Sequence, residues 1–145
     1  LLFHLLAQRG ATRDLHVMLQ KEVIDRMAAA PGSADYGRLT VMLAPFARVT
    51  HLFDVGPGAF QPPPRVWSAV ARLDILDTPA FDVPANFGAL VTAAFSQRRK
   101  TLRNALRGRL DADTIVACGV DPGARAETLA PAVFARLAAH WSPEL

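Results

Sequence analysis

Arg65-Val66-Trp67-Ser68-Ala69-Val70-Ala71-Arg72-Leu73-Asp74 alternates along its length, and the alternation stops at Asp77-Thr78-Pro79. Trp67, Ala69, Ala71 and Leu73 fall on one side of an extended chain and Val66, Ser68, Val70 and Arg72 on the other. That two-residue period is the mark of a strand with one buried face. After Asp77 no strand pattern returns. Residues 77–84, which include Pro79 and Pro84, read as a linker, because a residue before proline is pushed out of the helical region. Beyond it the periods are helical. Phe87, Leu90, Val91, Ala94 and Phe95 make one apolar stripe, and residues 111–117 and 131–140 give two short helices, the second opening on Pro131 where a missing N–H costs nothing. The stretch therefore divides the chain into α/β for residues 1–76 and all-α for residues 77–145.

Working back from the strand, residues 56–64 hold four prolines in nine positions. Such a loop joins neither sheet nor helix, but its fixed φ angles hold its one aromatic, Phe60, in a defined attitude. Upstream, residues 49–55 and 15–20 are apolar runs of strand length. Residues 21–29 read as a helix with Val23, Ile24 and Met27 on one face. Pro31-Gly32-Ser33 breaks it, and residues 37–47 form another helix around Leu39, Met42, Leu43 and Phe46, distorted near Pro45. Leu1-Leu2-Phe3-His4-Leu5-Leu6 is apolar, without a leader or an initiator Met, and reads as the end of a helix that begins before the sequence does. Gly10 ends that helix.

With 145 residues and 51% hydrophobic content the chain can bury an ordinary core. Its single cysteine, Cys118, excludes a disulfide framework and any CxxC metal site, and fits a reducing cytoplasm. The histidines, His4, His16, His51 and His140, lie too far apart in sequence to suggest a metal chelate. Charge is the informative quantity. Of sixteen Lys and Arg, six fall between Ser96 and Leu110, where no acid occurs, so the remaining ten are outnumbered by thirteen acids. At about 100° per residue in a continuous helix, Phe95, Leu102 and Leu106 fall within about 40° of one another, and Lys100, Arg103 and Arg107 fill a neighbouring sector. Clustered cations are the pattern of a polyanion contact, each releasing counterions from a phosphate; a solvated helix face is the plainer alternative.

Asp54-Val55-Gly56-Pro57-Gly58 imitates the acid-x-Gly-x-Gly loop that cradles S-adenosylmethionine after a strand. Such a loop must open a helix so that backbone amides face the ligand, and Pro62-Pro63-Pro64 follows too soon. We read it as a tight turn. Phe60 has two readings of its own, an aromatic face for a nucleobase or an anchor packed under the proline loop.

Phe60-Gln61-Pro62-Pro63-Pro64-Arg65-Val66 resembles the F-x-P-x-P-[KR]-V motif of ribosomal RNA adenine N6-methyltransferases. Met18-Leu19-Gln20-Lys21-Glu22-Val23, Ala30-Pro31-Gly32-Ser33, Tyr36-Gly37-Arg38-Leu39 and Ser68-Ala69-Val70 resemble segments of the KsgA type in the same order. Gln97-Arg98-Arg99-Lys100-Thr101-Leu102-Arg103-Asn104 and Arg125-Ala126-Glu127-Thr128-Leu129 resemble that type's C-terminal domain, and separate it from the relatives that methylate large-subunit RNA. Trp67 departs from the acid usual at its place.

The resemblance implies the later half of a Rossmann-like methyltransferase sheet in residues 1–76, its third strand inserted antiparallel between the other two, and a helical RNA-binding domain in residues 77–145. It implies a cytoplasmic enzyme of small-subunit biogenesis. Such an enzyme dimethylates N6 of two adjacent adenosines near the 3′ end of 16S rRNA with S-adenosylmethionine. Phe60 would stack on the target adenine, with Pro62, Pro64 and Arg65 as the substrate loop, and Arg98, Arg99, Lys100, Arg103 and Arg107 would hold RNA. The donor-binding residues and the catalytic N-L-P-Y motif would precede Leu1, so these 145 residues are expected to be inactive alone, with no metal and no membrane contact. The alternatives are a non-catalytic RNA-binding or assembly module and a related methyltransferase with another RNA target.

Overall fold

The computed structural model describes residues 1–142; positions 143–145, the end of the expected helical domain, lie outside the described residues. Its elements are α1 (Leu2–Ala7), β1 (Asp14–Gln20), α2 (Lys21–Met27), α3 (Arg38–Leu43), β2 (Ala47–Val55), β3 (Ser68–Ile75), α4 (Phe87–Ala94), α5 (Leu102–Ala105), α6 (Ala112–Ala117) and α7 (Pro131–Ala138). Short 3₁₀ turns cover Arg9–Ala11, Pro57–Ala59 and Ala126–Thr128.

The three strands form one sheet in the order β1-β3-β2, with β3 antiparallel to both neighbours, as the resemblance implies. β3 lies between them because it is the one strand with a completely dry face. Ala69, Ala71 and Leu73 are fully buried, and they pack with Ile24 and Met27 of α2, Leu43 of α3 and Leu6 of α1. The opposite face is open. Met18 of β1, Val70 of β3 and Phe53 of β2 stand level across it, with Met18 51% and Phe53 55% exposed. A bulge between His51 and Phe53 shifts the register of β2 and turns Leu52 outward. Among the described residues β1 pairs on one side only.

A second core gathers Phe87, Leu90 and Val91 of α4, Leu102 and Leu106, Ile115 of α6 and Phe134 and Leu137 of α7. It also takes in Tyr36 and Val41, so the α3 region serves both cores. The seam is hydrogen bonded: Gly32 N–H donates to the Glu127 carbonyl at 2.7 Å, the Tyr36 hydroxyl to the Leu129 carbonyl, and the Arg98 guanidinium to the Ala34 carbonyl at 2.8 Å. Burial pushes the Tyr36 phenol well above its ordinary pKa. Inside the first part, Gly37 N–H donates to Thr40 Oγ1, which in turn donates to the Arg26 carbonyl and fixes α3 on α2.

Several boundaries differ from the sequence expectation for identifiable reasons. α3 stops at Leu43, two residues before Pro45, and β2 already begins at Ala47. β3 begins at Ser68, not Arg65; Arg65, Val66 and Trp67 leave the proline loop exposed and without ladder partners. The continuous helix expected through the basic segment is broken. α4 ends at Ala94, residues 96–100 turn, and Thr101 is extended and bridges to Arg125 before the single turn of α5. In an unbroken helix Arg99, Arg103 and Arg107 would stack at four-residue intervals, where like charges repel. Leu102 and Leu106 are nevertheless buried, and Lys100, Arg103 and Arg107 exposed, as expected.

Candidate functional site

The loop of residues 56–67 joins β2 to β3 as a long hairpin, its ends fixed by the pairing of Val55 with Ser68. Pro57 opens a 3₁₀ turn in which Ala59 N–H donates to the Gly56 carbonyl at 3.1 Å and Phe60 N–H to the Pro57 carbonyl at 3.2 Å. The chain then becomes extended at Phe60 and passes through a cis Gln61-Pro62 bond. Phe60 is half-buried, whereas Pro62, Pro64 and Arg65 are exposed. The four residues singled out in this loop thus stand in one hairpin at one end of the sheet.

That end is tied to α2. Lys21 N–H, at the first residue of α2, donates to the Trp67 carbonyl at 2.9 Å. The Lys21 ammonium lies 3.1 Å from Asp25 and 4.0 Å from Asp54, and His51 Nε2 lies 2.6 Å from the same Asp54 carboxylate. The hydrogen bond to Asp25 holds the Lys21 pKa above its ordinary value. Sequence reading missed this cluster; the four-residue spacing of Lys21 and Asp25 on a helix was its one visible sign.

The glycine-bearing turn that follows Asp54 does not fit a methyl-donor cradle. The Asp54 carboxylate is engaged by His51 and Lys21, the turn leads into a single 3₁₀ turn with no helix after it, and the Trp67 ring lies against Gly56. Among the described residues no group of three or more His, Cys, Asp or Glu gathers in one place, and no helix is long and apolar enough to cross a membrane.

The second cluster is the segment from Arg98 to Arg109. Arg98, Arg99, Lys100, Arg103, Arg107 and Arg109 are all exposed, and among the described residues none of them pairs with a carboxylate. They are not equivalent. Arg98 holds Ala34 across the seam, Arg107 reaches Asn104 at 3.4 Å, and the Arg109 guanidinium lies 5.7 Å from the Trp141 ring centre. Among the described residues Arg99, Lys100 and Arg103 make no such side-chain contact. The segment is anchored by the loop that follows α6: Leu102 N–H donates to the Ala124 carbonyl at 2.8 Å and Arg103 N–H to the Pro122 carbonyl at 3.0 Å. The same docking sets exposed Arg125 opposite Thr101, a cation absent from the residues singled out by charge clustering.

Among the described residues no hydrogen bond or ion pair joins the hairpin to the basic segment. An open cleft of about 1180 Å³ runs along the seam instead, lined by Arg26, Arg38 and Arg98 but also by Glu22, Asp35 and Glu127. Mixed charge makes it a poor anion site, and Phe60 is not part of its wall. The two uncompensated surfaces, hairpin and basic segment, are the better candidates.

Residues 1–141 match the family model described as ribosomal RNA adenine dimethylase. The chain is 54% identical over 141 residues to ribosomal RNA small subunit methyltransferase A of Pseudomonas putida, covering 95% of this chain and 52% of that protein. It is 51% identical over 144 residues to the protein of the same name from Methylococcus capsulatus, covering 99% and 56%. The chain thus spans about half the length of these relatives. Among solved structures, a dimethyladenosine transferase from Plasmodium falciparum superposes with a TM-score of 0.77 at 24% identity, over 94% of this chain and 60% of the other. The 23S rRNA methyltransferase ErmE superposes with a TM-score of 0.61 at 24% identity, over 88% and 54%. At those identities the likeness speaks for the fold alone.

Proposed function

This chain belongs to the ribosomal RNA adenine dimethylase family, and from that premise we propose that it is the RNA-facing part of an rRNA adenine dimethyltransferase of the cytoplasm. The intact enzyme transfers methyl groups from S-adenosylmethionine to N6 of two adjacent adenosines near the 3′ end of 16S rRNA during small-subunit assembly. The observation that carries the reading is the segment from Arg98 to Arg109, six exposed cations without a carboxylate partner among the described residues. Its phosphate contacts set most of the affinity for a folded RNA, whose backbone and shape offer more than its buried base edges.

In this reading residues 1–76 are the later half of a Rossmann-like methyltransferase sheet and residues 77–145 the helical RNA-binding domain. The two cores, which meet at the Tyr36 and α3 region, support the division. The one-sided pairing of β1 and the open face around Met18 and Phe53 support an earlier half that completes the sheet. S-adenosylmethionine supplies the methyl group, and its binding residues are assigned outside these 145 residues, since the turn at Gly56 does not fit it. What this chain contributes is position. Phe60 holds the ring of the target adenine, the prolines and Arg65 keep the loop and the RNA strand in place, and the basic segment sets the register. Transfer to an amine needs no protein nucleophile, so orientation carries the rate.

The test is Phe60→Ala in the intact enzyme, by single-turnover methylation of pre-assembled small subunits with a melting curve for each variant. If ~1 to 3 kcal/mol of stacking is realised at the transition state, the rate falls roughly 5- to 150-fold while RNA affinity changes little. Phe60→Tyr keeps most of the rate. An alanine variant as fast as the parent, or a melting loss that accounts for the defect, makes Phe60 a packing residue.

A further inference from the structure

Trp67 closes the hairpin and does not face a core. It is 54% exposed, and its neighbours Arg65 and Val66 are exposed with it. An indole half in water is unusual unless something covers it, because its large apolar surface gains by burial. Its backbone and one part of its ring are nonetheless held. The pairing of Val55 with Ser68 brings Gly56 across from Trp67, and the outer ring atoms Cη2, Cζ3 and Cζ2 stand 3.3, 3.5 and 3.6 Å from where a β-carbon on Gly56 would be. A glycine there lets the ring lie on the turn. The Trp67 carbonyl is fixed by Lys21 N–H at 2.9 Å. Among the described residues the ring joins no aromatic pair and carries no cation over its face.

Charge identifies the occupant. The loop of residues 56–67 contains no acid, and its one cation, Arg65, has no carboxylate partner among the described residues. A free guanidinium two residues from a pre-oriented, half-open indole is the interleaving of cation and aromatic that single-stranded nucleic acid uses, phosphate on one and base on the other. We propose that Trp67 is a second stacking platform, for an unpaired nucleobase flanking the target adenine, with Arg65 on the adjoining phosphate. Phe60 and Trp67 then hold two bases of one strand from the two ends of a single hairpin. The proposal rests on the RNA reading above but can fail without it.

Trp67 and Trp141 are the only tryptophans, so Trp141→Phe leaves Trp67 as the sole indole emitter of the 145-residue chain. Titration with single-stranded oligoadenylate at low micromolar protein should quench that emission as the RNA binds. Trp67→Ala should weaken binding roughly 5- to 150-fold, with Trp67→Phe recovering most of it. If Trp67→Ala does not fold, the emission change in the Trp141→Phe chain decides. RNA that binds with Trp67 emission unchanged and with the Trp67→Ala chain at parental affinity overturns the platform and leaves the basic segment as the RNA contact. A chain that binds no RNA at low salt overturns both.

Discussion

Tyr36 is one residue on which both parts of the fold depend. Its ring lies edge-on to Phe95 at 6.2 Å, and its hydroxyl reaches the Leu129 carbonyl, 93 residues away. An unfolded tyrosine ionises near 10.0, whereas the folded one is held higher by burial. Its contribution is therefore whole below about pH 10 and is lost as pH rises from there toward the folded value. Lys21, also raised, acts in the same direction, but its ammonium is open to solvent and adds little. We expect denaturant midpoints to fall as pH rises above about 10, and Tyr36→Phe to flatten that fall while costing about 1 kcal/mol at neutral pH for the missing hydrogen bond. A variant as alkali-sensitive as the parent assigns the effect elsewhere. The residue scale is also where the sequence was least informative. The Tyr36-Gly37-Arg38-Leu39 stretch was visible, but a partner at Leu129 has no local signature, and neither has the Ala34 carbonyl that occupies Arg98.

For single elements, the basic segment separates anchoring from charge. Leu102 and Leu106 bury the segment and its cations face water, so the two functions can be removed independently. Replacing Arg99, Lys100, Arg103 and Arg107 by Gln should weaken RNA binding similarly across sequences and reduce its salt slope by roughly 0.7 to 0.9 log units for each phosphate no longer neutralised, with little change in melting. Arg98 is left in place because its removal would also take away a hydrogen bond across the seam. An unchanged slope makes the segment a solvated face. Leu102→Ala should do the reverse, costing about 2 to 5 kcal/mol of stability through the cavity it leaves. Melting or denaturant curves measure it. The alternation of Ala69, Ala71 and Leu73 and the stripe of α4 could be read from sequence because burial imposes a period on them. The break after Phe95 could not be read from apolar spacing, since Phe95, Leu102 and Leu106 keep helical phase by coincidence. Thr101 before Leu102, a helix-starting residue type, was the available sign.

Taken whole, the molecule has a dry side and an open one. The level row of Met18, Val70 and Phe53, next to the unpaired side of β1, is a template for a second copy in the absence of another cover. Sedimentation should find the 145-residue chain self-associated at tens of micromolar, and Met18→Lys with Phe53→Lys should shift it toward monomer. A parent chain that stays monomeric at those concentrations contradicts this. The order of the strands has a further consequence, in time. Among the described residues β1 and β2 share no ladder; each pairs only with β3, and the partner of Asp14 is Asp74. As the chain emerges from the ribosome, β1 and β2 therefore lack the strand that joins them until residues 68–75 follow them out. Local order can come early in α2 and α3, but these three strands are joined in a single late step, with the long loop closures that slow such topologies. Translation stalled before Ser68 would leave neither of the two ladders made by β3, and translation stalled shortly after Ile75 has cleared the exit tunnel would allow both.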